Sequence, residues 1–269
     1  MVCLLICVIV LGFFSEMKAL TAAEEAKHPL AGKVVFLAGD SRSSTDYTFY
    51  GEQLEQKAGV TALVEGASGR TAAYNASDAY FERLAASPHD FSIWLVGGND
   101  DGSPGTVGTF DADSELACGG EPVVAPTDVS RDYDGECFIQ AVDHIMRKYM
   151  AEFGAMEGPG GLPPVMIFCT DLPQQREGPD TPWSQRENWE RKRLAILECC
   201  ARNGMTCVDL YALCGFDMSV EPWFVPPTDK VNDRGVYYMD GLHPNARGMD
   251  VITDLEIQEM MNCSGDGGI

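Results

Sequence analysis

Five short apolar segments, separated by stretches suited to helices, constrain the fold of this chain more than any other feature. They lie at residues 34–38, 61–64, 91–96, 165–169 and 205–210. Each is nearly continuous rather than alternating, which is typical of strands buried on both faces. Helices are predicted between and after them at residues 50–58, 79–86, 138–153, 189–203 and 249–261. This alternation predicts an α/β fold with a five-stranded parallel sheet between two layers of helices.

Two long connections interrupt the regular alternation. Residues 100–137 are rich in Gly, Pro and Asp, and residues 171–189 form the second connection. Both follow predicted strands, so they emerge at the carboxyl edge of the sheet, where open α/β sheets bind ligands. Unstructured connections as long as the first are uncommon. We therefore interpret it as either a functional lid or an ordered insertion.

The N-terminal segment predicts export from the cell. Residues 2–14 form a continuous apolar run, and small residues follow at Ala19, Ala22 and Ala23. The run is too short to span a bilayer comfortably, and the small residues after it are typical of a signal-peptide cleavage region. An uncleaved anchor and a buried helix are the alternatives. We predict a signal peptide over residues 1–23, a single domain over residues 24–269, and an extracellular or periplasmic location.

The cysteines fit an exported chain. Of the ten cysteines, Cys3 and Cys7 lie in the predicted signal, which leaves an even number in the mature chain. Such a number favours disulfides in an oxidising compartment, and a bond between Cys118 and Cys137 would close the loop between them. Cys169, in an apolar run, is interpreted as a free buried thiol. Zinc is the rival explanation, but no CxxC or HxxxH spacing supports it, so no metal is expected.

The charge restricts the partners that the chain can bind. Its 41 acidic and 19 basic residues give a formal net charge of −22. Such a surface repels polyanions and offers no patch that neutralises phosphates, and no basic amphipathic helix suggests docking to a membrane. We therefore expect neither nucleic acid nor a stable membrane association. Nothing in the sequence specifies an oligomeric state.

Four polar motifs follow predicted strands or precede the last helix. They are GDS at residues 39–41, SGRT at 68–71, GGND at 97–100 and DGLHPN at 240–245. Taken singly, each has an ordinary structural explanation as a turn or a helix cap. Together they supply the parts of acyl-transfer chemistry. A serine hydroxyl needs a base, and a carboxylate can orient that base, while backbone N–H groups and an Asn amide can stabilise an oxyanion.

The order Ser, Gly, Asn, His in these motifs resembles the SGNH (GDSL-type) hydrolase superfamily, over residues 34 to about 255. The resemblance implies a flavodoxin-like α/β/α sandwich and a triad of Ser41, His243 and Asp240. It implies an oxyanion hole formed by the backbone N–H groups of Ser41 and Gly69 and the side chain of Asn99, and it implies no cofactor. The chain departs from the family at Arg42, which we predict to face solvent, with contact to the substrate as the alternative. The lipase motif GxSxG is absent, which disfavours a standard α/β-hydrolase.

The subfamily resemblances conflict about the substrate. FLAGDS and GRTA resemble carbohydrate O-acetylesterases, residues 65–71 also resemble arylesterases, and GGND and DGLHPN resemble thioesterases and lysophospholipases. Because the acidic surface disfavours anionic substrates, we predict a secreted serine esterase that removes short acyl groups, acetyl above all, from a neutral saccharide or another small ester. A lysophospholipase or thioesterase, an acyltransferase and a non-catalytic carbohydrate-binding module are the alternatives. Loop aromatics either stack on sugar rings or complete a satellite core: Tyr133, Trp183, Trp189, Trp223 and Phe224.

Overall fold

A computed structural model of the chain describes residues 27–100, 107–110, 116–118, 121–123, 129–130, 132–133, 135, 137–174, 186–222 and 235–265. The predicted signal peptide and parts of both long connections lie outside these residues.

The described residues form eight strands: β1 (Val34–Gly39), β2 (Thr61–Val64), β3 (Phe91–Leu95), β4 (Thr109–Phe110), β5 (Leu116–Cys118), β6 (Glu121–Val123), β7 (Val165–Cys169) and β8 (Thr206–Val208). Five of them form one sheet in the order β2-β1-β3-β7-β8, and every pair in it is parallel. This is the flavodoxin-like strand order. The predicted α/β fold with a five-stranded parallel sheet is confirmed.

Helices cover both faces of this sheet. They are α1 (Tyr50–Ala58), α2 (Ala72–Asn75), α3 (Asp78–Ala85), α4 (Phe138–Phe153), α5 (Arg186–Asn203), α6 (Leu210–Leu213) and α7 (Ala246–Cys263). Alternate residues of the central strands enter two separate cores. Phe36, Trp94 and Phe168 pack with α4 and α5, whereas Leu37 and Ile93 pack with α1 and α7. The result is three layers, and the three central strands are almost wholly buried.

Some short elements are absent from the sequence prediction. Helices α2 and α6 have four residues each, too few to display a helical period. Within the first long connection, β4, β5 and β6 form a small antiparallel sheet. Among the described helices, none combines the length and the apolar character needed to cross a bilayer.

Six cysteines of the described part of the chain carry free thiols: Cys169, Cys199, Cys200, Cys207, Cys214 and Cys263. Cys169 is buried on β7, which confirms its interpretation as a free thiol inside the core. A disulfide between Cys118 and Cys137 stays a prediction.

Candidate active site

The turn after β1 presents Ser41 at the carboxyl edge of the sheet. Gly39 has a φ of 141°, and a Cβ atom there would lie 2.1 Å from the carbonyl oxygen of Leu95 on the neighbouring strand. Only glycine fits such a position. Asp40 then caps a 3₁₀ turn (Ser41–Ser43), because its Oδ1 atom accepts the Arg42 N–H at 3.0 Å. The GDS motif thus directs the chain away from the sheet with Ser41 first in the turn.

The loop before α7 is shaped by its own side chains. Asp240 Oδ1 accepts the backbone N–H groups of Leu242 at 3.0 Å and His243 at 2.7 Å. Asn245 caps α7, since its Oδ1 atom accepts the Gly248 N–H at 2.9 Å. An Asn cap of this kind typically stabilises a helix by about 1 kcal/mol. The DGLHPN motif therefore encodes a turn and a helix start that fix the position of the imidazole.

The structure brings the predicted Ser41, His243 and Asp240 side chains into one hydrogen-bonded chain. The Ser41 Oγ and His243 Nε2 atoms are 2.8 Å apart, and His243 Nδ1 and Asp240 Oδ2 are 2.7 Å apart. Ser41 and His243 are each 4% exposed and Asp240 is fully buried. With Nδ1–H donating to the carboxylate, Nε2 is left as an acceptor for the serine hydroxyl.

The predicted oxyanion-hole residues lie on loops that pack against the Ser41 turn. The Gly98 N–H donates to Asp40 Oδ2 at 3.0 Å, and the Asn99 Nδ2 atom donates to the Arg70 carbonyl at 3.0 Å. These bonds tie the GGND loop to both the GDS and SGRT loops. At Gly69 an added Cβ would meet nothing within 4 Å, so this glycine borders open space.

Arg42 does not face solvent, and that prediction was wrong. The side chain is fully buried, and its guanidinium donates to Asp40 through Nε at 3.0 Å and through Nη2 at 2.7 Å. A third bond joins it to Asp171. Burial alone would lower the pKa of Arg42, but the Asp171 and Asp40 carboxylates outweigh that effect and raise it. Arg42 therefore ties the turn that carries Ser41 to the loop after β7.

Sequence reasoning missed Lys192 and Asp171. The Lys192 Nζ atom, on α5, lies 2.6 Å from the Gly97 carbonyl oxygen and 2.6 Å from Asp171 Oδ2. Burial would raise the pKa of Asp171, but the Arg42 and Lys192 charges hold it below its usual range. A signal for Lys192 exists: it shares the buried helical spacing of Trp189 and Ile196, where a cation is out of place.

Asp100, which is partly buried, completes this group of charges. Both of its carboxylate oxygens lie 3.1 Å from the Ala72 backbone nitrogen, at the start of α2. Burial raises the pKa of Asp100 to about 7, although Lys192 and the Ala72 N–H act in the opposite direction. Arg42 and Lys192 thus supply two positive charges against three carboxyl groups, those of Asp40, Asp171 and Asp100. A proton on Asp100 would leave these five side chains without net charge.

The remaining candidate features are a metal site and the aromatic residues predicted to lie in loops. Among the described residues, no cluster of three or more His, Cys, Asp or Glu side chains is arranged to hold a metal ion. Trp189 lies on α5 and is 6% exposed, and Tyr133 is partly buried and packs against the core, so both of these aromatics contribute to packing. Trp183, Trp223 and Phe224 lie outside the described residues.

Comparison with known proteins agrees with this architecture. Similar solved structures include the lipase/acylhydrolase of Enterococcus faecalis, 14% identical with a TM-score of 0.51 over 86% of this chain and 96% of that one. A catalytic mutant of Axe2, an acetylxylan esterase from Geobacillus stearothermophilus, is also 14% identical, with a TM-score of 0.51 over 86% and 94%. A possible lipase from Chitinophaga pinensis is 15% identical, with a TM-score of 0.57 over 87% and 99%.

These low identities establish the fold alone. The search of curated proteins found no match. The profile of the GDSL-like Lipase/Acylhydrolase family, in contrast, matches residues 36–251, a span that includes the serine, glycine, asparagine and histidine motifs. The chain therefore belongs to the GDSL-like lipase/acylhydrolase family and is a carboxylic ester hydrolase.

Proposed function

We propose that this esterase uses Ser41 as its nucleophile, His243 as general base and Asp240 as the group that orients the imidazole. The observation that carries the proposal is the hydrogen-bonded chain through these side chains, with distances of 2.8 Å and 2.7 Å. A serine hydroxyl is a weak nucleophile until an adjacent base removes its proton. The carboxylate fixes the tautomer of the histidine and stabilises the imidazolium that forms.

The reaction follows from this geometry. Ser41 Oγ attacks the ester carbonyl carbon while its proton passes to His243 Nε2. Collapse of the tetrahedral intermediate transfers that proton to the departing alcohol and leaves the acyl group on Ser41. Water, deprotonated by the same Nε2 atom, then releases the acid. The oxyanion of both tetrahedral intermediates accepts hydrogen bonds from the Ser41 and Gly69 backbone N–H groups and from the Asn99 side-chain amide.

The proposed substrate is a short-chain ester, an acetyl group on a neutral saccharide above all. Three points support it: the motif resemblance to carbohydrate O-acetylesterases, the similarity of fold to the acetylxylan esterase Axe2, and a net charge of −22 that disfavours anionic substrates. We also propose export, with the mature chain beginning after residue 23. The intact mass of protein from the culture medium tests it, and retention of residues 1–23 would contradict it.

The first test compares wild type with Ser41→Ala on p-nitrophenyl acetate, butyrate and octanoate, and on acetylated xylooligosaccharides. We expect wild type to cleave the acetate best and to release acetate from the oligosaccharides, while the variant is inactive. An active Ser41→Ala protein would overturn the nucleophile assignment. If the enzyme prefers octanoate, the acetyl proposal is replaced by a lysophospholipase or thioesterase activity. If it transfers the acyl group to added xylose in preference to water, the protein is a transferase.

A further inference from the structure

Tyr47 covers one face of the imidazole that we propose as the general base. The two ring centroids are 4.6 Å apart and the ring planes differ by 11°, a stacked arrangement. Tyr47 is only partly buried, whereas the imidazole beneath it is 4% exposed. The histidine is therefore held by Asp240 at Nδ1, by Ser41 at Nε2, and by an aromatic face against the plane of the ring.

The backbone around Tyr47 is tied to the turn that carries Ser41. The Thr48 hydroxyl donates to the carbonyls of Arg42 at 3.0 Å and Ser44 at 3.1 Å. The backbone N–H groups of Tyr47 and Thr48 also donate to the Ser44 carbonyl, at 3.4 Å and 3.1 Å. Because these bonds close the segment on itself, the tyrosine ring and the serine hydroxyl are positioned by one compact loop.

We propose that Tyr47 is a positioning residue for ester hydrolysis, whose ring face orients the His243 imidazole and stabilises its protonated form. This inference rests on the proposed function. When Ser41 gives its proton to Nε2, the neutral imidazole becomes a cation. The negative face of an aromatic ring attracts a cation. The stacked ring therefore interacts more strongly with the transition state than with the resting enzyme, which is the condition for raising kcat.

Contacts to the imidazole come from its own loop and from the segment that contains Ser41 and Tyr47. Asp240, on the same loop, forms an ion pair with it; Ser41 comes from the turn after β1, and Tyr47 from the segment that follows that turn. The guanidinium of Arg42 is directed at Asp40 and Asp171. The effect of the tyrosine ring can therefore be measured with the carboxylate unchanged.

The test compares Tyr47→Leu, which removes the ring, with Tyr47→Phe, which keeps the ring and removes the hydroxyl. For the leucine variant we expect kcat to fall about 2- to 30-fold, the range of a cation–π contact converted to rate, with KM changed less than twofold. The acid limb of its kcat/KM profile should move to lower pH, since the imidazolium has lost a stabilising contact. Tyr47→Phe should restore both quantities to near wild-type values.

Three kinetic results would overturn the inference: a leucine variant that equals wild type, a phenylalanine variant as impaired as the leucine variant, or a change confined to KM. Thermal unfolding checks that each variant folds, and Tyr47→Met, which also removes the ring, replaces the leucine variant if that variant does not fold.

NMR titration of the ¹⁵N-labelled imidazole needs no substrate. A lower titration midpoint in Tyr47→Leu supports the contact even if wild type hydrolyses no ester, an outcome that would reject the proposed function separately. An unchanged midpoint overturns the inference.

Discussion

At the scale of single residues, the side-chain amide of Asn99, which we propose as an oxyanion donor, is held in place by a hydrogen bond to a neighbouring loop. Its Nδ2 atom donates to the Arg70 carbonyl at 3.0 Å, and this bond fixes the amide plane beside the Ser41 turn. A side-chain amide nitrogen carries two hydrogens, so the same group can also donate to an oxyanion. A preoriented donor of this kind needs no rearrangement when the negative charge develops.

We therefore expect Asn99→Ala to lower kcat about 100- to 1000-fold, the usual cost of one oxyanion donor, with little change in KM. The reason is that the interaction is made in the transition state and not with the ground-state ester. Steady-state kinetics on p-nitrophenyl acetate measure both constants. Asn203→Ala is the matched control, because among the described residues the Asn203 amide bonds within the α4–α5 pair, to Asp143, Met146 and Cys199. An Asn99→Ala enzyme with wild-type kcat would remove Asn99 from the oxyanion hole.

The individual residues also mark where sequence reasoning succeeds and where it stops. The sequence could place Ser41, Asp240 and His243 together because the GDS and DGLHPN motifs each encode a turn and a helix cap. Both motifs lie at the carboxyl edge of the sheet. The position of Arg42 could not be predicted, since its burial depends on Asp171, a carboxylate 129 positions later in the chain. Local pattern contains no information about a pairing of that kind.

At the scale of elements, α5 joins two loops of the active-site edge through one buried lysine. Lys192 Nζ bonds the Gly97 carbonyl at 2.6 Å and the Asp100 carbonyl at 3.3 Å, both in the loop after β3. It also pairs with Asp171, after β7, at 2.6 Å. The helix thus fixes the loop that carries Asn99 relative to Asp171, which pairs with Arg42. The sequence predicted the helix from residue 189 onward but not this connection.

We expect Lys192→Met to lower the free energy of unfolding by about 3–5 kcal/mol, because removal of one partner leaves buried acceptors without their cation. We also expect kcat to fall, since the GGND loop loses its anchor. Urea unfolding and steady-state kinetics measure the two effects. Lys57→Met is the control: its contacts with Asp250 and Asp254 are exposed, and such pairs contribute about 0–1 kcal/mol. Equal losses in the two variants would contradict the structural role of Lys192.

At the scale of the whole molecule, the buried carboxyl group of Glu256 makes the folding stability depend on pH. Glu256 on α7 is fully buried. Its Oε1 atom accepts the Tyr50 hydroxyl at 2.5 Å and the Cys169 thiol at 3.5 Å. Burial raises the pKa of Glu256 to about 8 from an ordinary value of 4.5, although these two hydrogen bonds act to lower it. Asp100, with a pKa raised by burial to about 7, adds to the same tendency.

The sign of the coupling follows from proton counting. Between about pH 4.5 and 8 the folded protein keeps a proton on Glu256 that the unfolded chain has released. The native state binds more protons, so stability contributed by this group is present at low pH and is lost as pH rises through that window. The lowered pKa of Asp171 acts in the opposite sense below the ordinary pKa of an aspartate. Burial also lowers the pKa values of His89 and His144, which acts in the opposite sense below the ordinary pKa of a histidine, so the contribution of Glu256 is isolated by comparing variants.

We therefore expect Glu256 to lower the free energy of unfolding between pH 5.5 and 8.5 by an amount on the order of 3 kcal/mol, since one pKa unit corresponds to about 1.4 kcal/mol. Glu256→Gln keeps an acceptor for Tyr50 and cannot ionise, so its decline over this interval should be smaller by that amount. Urea unfolding at the two pH values measures the difference. Glu52→Gln on the exposed side of α1 should retain the wild-type decline. A Glu256→Gln protein with an unaltered pH dependence would mean that Glu256 ionises in the folded core as easily as in the unfolded chain.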